Sequence, residues 1–199
     1  LRIATFISIF ACSAAASAQH FSKPSAIDPS ITERIGEPVF MLPHPTTSFG
    51  SVYSDGWLYV MGGYAGRPHD YYHEAQSKAF YRVNLLDTSH IEHLGDTQGL
   101  QACPLESWNG MIIRTGGLVA RNMRGEPQQL ESLRTVAAFD LRTKQWTSLP
   151  DLPVGRSSHA TAVVGSTLYD VGGWTLDSSA DARVSIASVL ANGLEDPSA

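Results

Sequence analysis

The sequence is poor in cysteine, in positive charge and in long apolar runs, and each shortage removes a class of protein. Cys12 and Cys103 are the two cysteines among 199 residues. Removal of a leader after Ala18 leaves Cys103 alone, so no intrachain disulfide forms and stability comes from packing. Lysine and arginine number 14 against 19 aspartates and glutamates, a net charge of −5, which disfavours a nucleic-acid surface. The apolar stretch from Ile3 to Ala11 is too short to cross a bilayer, so no transmembrane segment is expected in the mature chain. Glycine pairs are present, but none is followed by the lysine or the further glycine, opening a helix, that a phosphate loop needs. No cofactor motif and no catalytic constellation is visible, and the expectation leans away from an enzyme.

The hydrophobic fraction, 43%, is ample for a core, and it is arranged in a repeat. Gly62-Gly63, Gly116-Gly117 and Gly172-Gly173 stand 54 and 56 residues apart. Seven and six residues before each pair lie Asp55-Gly56, Asn109-Gly110 and Gly165-Ser166, dipeptides that favour primed hairpin turns. Thirteen before lie Phe49, Cys103 and His159, read as core-facing equivalents on a first strand; four before lie Leu58, Ile112 and Leu168. Each unit reads as four short antiparallel strands. Two flank the turn. A third spans Ala79 to Asn84, Thr135 to Asp140 and about Val184 to Leu190, and a fourth lies near Ser89 to His93 and Gln145 to Ser148. The glycine pairs are expected to end strands where the backbone of the neighbouring unit approaches closely.

This pattern resembles the Kelch repeat. The run Trp146, Leu149-Pro150, Leu152-Pro153, Arg156, His159, Leu168-Tyr169, Gly172-Gly173 carries the resemblance best. The first unit departs from it, with Asn84 where the second has Asp140, Ile91 where the second has Trp146, and no arginine lead-in. The resemblance implies an all-β fold, a Kelch-type β-propeller, here an incomplete arc of about three four-stranded blades at about 44–94, 99–149 and 154–199. Propellers close with roughly four to eight blades. Val39-Phe40-Met41-Leu42-Pro43 echoes Trp146-Thr147-Ser148-Leu149-Pro150, which makes residues 39–42 an orphan fourth strand, expected to close a last blade supplied by downstream sequence. Asn192-Gly193 is read as a further turn, with the third blade incomplete beyond it.

Ahead of the propeller at 39–199, residues 1–18 read as a secretory signal peptide, with Ala16-Ser17-Ala18 as the cleavage site before Gln19. Without an initiator methionine, the chain is expected to have lost its first few residues. Ile9-Phe10-Ala11-Cys12 offers a lipoprotein box as an alternative, with Cys12 carrying the lipid, although phenylalanine is unusual at that place. Residues 19–38 read as an extended arm. The expected location is outside the cell, in the periplasm or in the envelope.

In such blades the entry to the first strand and the loop from the second to the third strand share one end. Those loops are long, at about Tyr64 to Lys78, Leu118 to Arg134 and Trp174 to Arg183, and binding groups concentrate on loops held by a rigid scaffold. The ligand-binding candidates are Arg67, His69, Tyr71, Tyr72, His73 and Glu74 on the first loop, with Arg121 and Asn122 on the second. Arg124, Glu126, Asp177 and Asp181 accompany them. Aromatic and imidazole groups beside an arginine combine stacking surface with hydrogen-bond donors. His69 and His73 would share a face if Pro68 began a helical turn, a weak candidate for a metal; solvated loop residues are the plainer reading, and no metal is expected. Arg67 and Arg121, each four residues past its glycine pair, are either a clamp for a carboxylate or surface arginines that brace loops. Gly62, Gly63, Gly116, Gly117, Trp146, Arg156, His159, Gly172 and Gly173 are structural.

The expected function is a binding module for a carbohydrate, peptide or protein ligand. The alternative is a propeller enzyme acting on a sugar. Within the family that resemblance implies a sialic-acid epimerase (mutarotase), with a galactose-oxidase-like copper enzyme less favoured because Cys103 falls on a buried strand. An intracellular adaptor conflicts with the leader.

Overall fold

The computed structural model describes residues 40–179 and 182–194. The signal-peptide and arm readings, with Cys12, Val39 and Asp181, lie outside the described residues.

Three repeats fold as three antiparallel sheets. The first contains β1 (Gly50–Ser54), β2 (Trp57–Met61), β3 (Ala79–Asn84) and β4 (Ile91–Asp96) in sequence order. The second starts with β5 (Leu105–Trp108) and β6 (Met111–Thr115), is interrupted by the hairpin β7 (Leu118–Ala120) and β8 (Leu130–Ser132), and resumes with β9 (Val136–Asp140) and β10 (Gln145–Leu149). The third contains β11 (Ala160–Val164) and β12 (Thr167–Val171), then the hairpin β13 (Trp174–Asp177) and β14 (Ala182–Ser185), then β15 (Val189–Gly193). The expected turns are present. Asp55 and Gly56 have φ of 47° and 82°, and Asn109 and Gly110 of 46° and 73°, the two positive values that a type I′ turn requires.

Because successive side chains on a strand point to opposite faces, each blade packs on both sides. Tyr59, Met61 and Phe80 of the first blade meet Ile112 and Phe139 of the second. Ile113, Val136 and Ala138, on the second blade's other face, meet Leu168 with Val163 and Leu190 of the third. Trp146 fills the first of these interfaces, its ring 5.4 Å from Phe80 and 5.1 Å from Phe139. Ile91 pairs with Val83 as Trp146 pairs with Phe139, so the substitution noted in the first unit keeps its register. Arg156 is buried and spends its guanidinium on the third blade: Nη1 donates to the carbonyls of Gly172 (2.9 Å) and Ser188 (3.0 Å), and Nη2 to Ser188 Oγ (2.6 Å). His159 is buried as expected. Its Nε2 lies 2.8 Å from Thr115 Oγ1 of the second blade, and 3.2 Å from Asp170 Oδ1, close enough for attraction but not aligned as a hydrogen bond.

Three expectations need correction. The third strand of the last blade is Val189–Gly193 and not Val184 to Leu190; Val184 belongs to β14, because the preceding loop forms a hairpin of its own. Asn192 and Gly193 make no turn: they pair with Leu168 and Thr167, and neither has a positive φ. Phe40–Leu42, read as an orphan strand, has no strand partner among the described residues; Phe40 and Leu42 pack on Val60, Tyr81 and Val83 of the first blade. The close approach of the neighbouring blade's backbone holds at two of the three glycine pairs. A Cβ on Gly62 would overlap the Leu100 carbonyl oxygen and one on Gly116 that of Arg156, whereas one on Gly172 would find only the Ile186 oxygen, at 3.5 Å.

Candidate ligand-binding face

The residues that enter each first strand pair with those that leave the glycine pairs: Thr47 with Tyr64, Gln101 with Leu118, and Ser157 with Trp174. These bridges put the start of every long loop beside the entry to its blade, at one end of the arc. The loops are not free. The second and third form hairpins that join as one four-stranded sheet in the order β14-β13-β8-β7. Ser178 fastens them, its Oγ accepting from Leu130 N and donating to Leu130 O.

The first loop is tied to the second. Gln76 acts as a substitute strand beside β7, its Nε2 donating to Leu118 O (3.0 Å) and its Oε1 accepting from Ala120 N (2.9 Å). Asn122, offered as a ligand contact, is buried: its Nδ2 donates to Tyr71 O, its Oδ1 accepts from Gln129 N, and its carbonyl accepts from His73 N. Tyr72 is also buried, with the Arg124 guanidinium carbon 5.1 Å from its ring. Both are therefore braces. Tyr64 sets the aromatic cluster, its ring 5.1 Å from Tyr71 and 6.1 Å from Tyr72, and its hydroxyl donates to Asp70 O.

The helical face that would have joined His69 to His73 does not form. His69 sits in a turn with φ of 65°, and the only helical residues of the loop are the 3₁₀ turn His73–Ala75. Among the described residues no group of three histidines, cysteines or carboxylates is placed to hold a metal. Arg121 forms an ion pair with Glu131 (2.8 Å), within its own hairpin, so it braces that hairpin. Arg67, His69 and Glu74 are exposed; Tyr71 and His73 are half-buried.

Two grooves open beside this platform. One, of about 520 Å³, lies between the two hairpins and is lined by Arg121, Gln128, Gln129, Glu131, Asp177 and Ser179. The other, of about 510 Å³, runs along the entries of the three first strands past Ser48, Cys103, Glu106, Ser158, His159 and Thr161. Burial pushes the Glu106 carboxyl above its ordinary value, partly offset by the hydrogen bond it accepts from Thr161 Oγ1. Burial also pushes the Cys103 thiol up to about 11. Glu106, Gln128, Glu131 and Ser178 were not singled out in the sequence, because their importance depends on the hairpin sheet and on contact between blades, which no local spacing reports.

No protein-family model matches the chain. It is 24% identical over 119 residues, 60% of its length, to Kelch-like protein terF of Aspergillus terreus, and 22% identical over 135 residues, 68% of its length, to Kelch repeat and BTB domain-containing protein 2 of cowpox virus. These relatives support the Kelch-repeat resemblance read from the sequence. The chain spans 26% and 22% of those two relatives' own lengths. Among solved structures, YjhT matches with a TM-score of 0.53 at 17% identity, over 69% of this chain and 37% of that one, a likeness of fold. The three blades are an arc of a Kelch-type β-propeller.

Proposed function

We propose that this Kelch-repeat chain is a non-catalytic binding module of the cell exterior or envelope, taking a carbohydrate or peptide at its long-loop end. The observation that carries the reading is the cross-bracing of the three loops. Side chains held on a pre-organised platform lose little freedom on binding, and this platform presents Arg67, His69, Tyr71 and Glu74 beside a polar groove. Immobilised chain on carbohydrate and peptide arrays tests it. We expect a defined subset of one array to be retained, with Arg67→Ala and Tyr71→Ala each weakening retention about tenfold, the scale of one lost hydrogen bond or ring contact. Retention indifferent to both substitutions, or none on either array, refutes the reading. Export is tested separately: the cell-expressed product should be found outside the cytoplasm with an N-terminus near Gln19, and an uncleaved cytoplasmic product contradicts it.

A second reading, an enzyme acting on a sugar, has Glu106 in its favour, since a carboxyl whose pKa burial raises, lying beside a groove, suits proton transfer. Anomer interconversion of sialic acid, followed by NMR and abolished by Glu106→Gln, would support it; an unchanged spontaneous rate removes it. Ring closure needs further blades, and later repeats of a longer polypeptide are the route expected from the sequence.

A further inference from the structure

Two residues before each glycine pair stand Val60, Arg114 and Asp170, register equivalents that pair with Ser51, Leu105 and Thr161 and are all buried. Val60 is apolar and lies in a cluster with Tyr81 and Val83. Asp170 is charged and has partners: Asn192 Nδ2 donates to its Oδ2 (3.2 Å), and His159 Nε2 lies 3.2 Å from its Oδ1. Arg114 is charged and has no counter-ion. Its Nη1 donates to Gly116 O (2.5 Å) and its Nη2 to Thr135 Oγ1 (3.0 Å), both neutral, and among the described residues no carboxylate lies within ion-pair distance of it. The nearby Cys103 thiol is held neutral by its own burial, and Asp151 acts on the guanidinium only from farther away. A guanidinium keeps its charge at neutral pH, and a charge taken out of water without a partner is strongly destabilising.

Beside Arg114 the contact between the first two blades does not close. A cavity of about 220 Å³ remains, with Met61 of the first blade on one wall, Ala137 and Trp146 of the second on another, and Thr97 and Gln98 from the link between the blades. Trp146 packs on Phe80 and Phe139 yet stays 39% exposed, which leaves ring surface to line the space. Asp96, exposed and paired with His93 (3.1 Å), stands at the rim. Liquid water takes about 30 Å³ per molecule, so the cavity holds roughly seven waters or one small organic molecule. Both walls belong to consecutive blades already packed on each other, so the next repeat in the ring is not its occupant.

We propose that this cavity between the first two blades binds a small monocarboxylate with an apolar body, its carboxylate on Arg114 and its body against Trp146 and Met61. Gly116 O and Thr135 Oγ1 occupy two of the N–H donors of the guanidinium, and the remaining donors suit the two oxygens of a carboxylate. The same two bonds hold the guanidinium in place before a ligand arrives, so little freedom is lost on binding. A single positive charge at the cavity matches a monoanion, and the Asp96 carboxylate at the rim repels a second negative charge. The site is separate from the long-loop platform and does not rest on the function proposed for it.

Titration of the chain with benzoate, followed by ligand-observed NMR, tests the assignment, with benzamide as the uncharged counterpart and phthalate as the dianion. Benzoate should bind saturably, and benzamide and phthalate at least about tenfold more weakly, the scale of one charge-assisted hydrogen bond. Ala137→Leu, which fills the cavity and leaves Arg114 in place, should abolish benzoate binding while the chain still unfolds cooperatively in urea. Arg114→Gln should bring benzoate to the level of benzamide. Benzoate should also raise the urea midpoint of the unsubstituted chain and leave that of the Ala137→Leu variant unchanged. Absence of benzoate binding, equal binding of benzoate and benzamide, or binding that survives Ala137→Leu overturns the proposal. The first two of these outcomes need no substitution, so the test stands even where loss of the Arg114 brace unfolds the chain.

Discussion

Cys103 shows how a place in the repeat decides the chemistry of a side chain. It lies on the entry to β5 with its sulfur against Gly50 of the neighbouring first strand, buried in the cluster that joins the first two blades. Burial lifts its pKa to about 11, and the thiolate is the reactive form. In a Cys12→Ser background the native chain at pH 8 should therefore resist thiol-labelling reagents that modify the urea-unfolded chain fully; rapid native labelling contradicts the burial. Asn84 makes a second residue-scale point. It differs from Asp140 in sequence, yet the two do the same work: Asn84 Oδ1 accepts from the amides of Leu86 and Asp87, and Asp140 Oδ1 from those of Arg142 and Thr143. The site residues were legible only in part for the same reason. Residue type announced Arg67 and Tyr71 as recognition groups, but nothing local in Asn122 or Tyr72 reveals that a neighbouring loop consumes their polar or ring surface.

Between elements, charge joins what the apolar interfaces stack. Glu92 on β4 takes Lys144 Nζ from the β9–β10 turn (2.5 Å) and Arg82 Nε and Nη2 from β3 (2.9 and 2.5 Å), while the Arg82 guanidinium lies 4.1 Å from the Trp57 ring. Lys144 first, then Arg82, holds the Glu92 carboxyl below its ordinary range. The sign follows: the stabilisation is complete above the unfolded glutamate pKa and is lost as pH falls through the lowered native value. Both partners keep solvent contact, so the contribution is below about 1 kcal/mol. Glu92→Gln should flatten the fall in urea midpoint between pH 7 and about 3.5, a window spanning the glutamate pKa; an identical fall in both proteins contradicts the network. The strands of the three blades were readable because alternating burial and turn dipeptides are local signals. The hairpin sheet was not: β7 and β8 have three residues each, and Leu118-Val119-Ala120 is apolar on both faces. β8 pairs with β13 between repeats, and the β13–β14 hairpin displaced the last strand from its expected place.

For the whole molecule, position in the arc sets what each repeat contributes. The three glycine pairs are equivalent in sequence and in backbone, with φ of 65°, 53° and 67° at Gly62, Gly116 and Gly172, but only the first two have the next blade's carbonyl within overlap of a Cβ. An alanine at a left-handed position costs about 1 kcal/mol, and overlap with a backbone that cannot move adds about 2 kcal/mol. The measurement that tests the stacked-blade account most directly is urea unfolding of Gly62→Ala, Gly116→Ala and Gly172→Ala side by side. The account predicts losses of about 3 kcal/mol for the first two and about 1 kcal/mol for the third. Equal losses at all three, or the largest at Gly172, would contradict it.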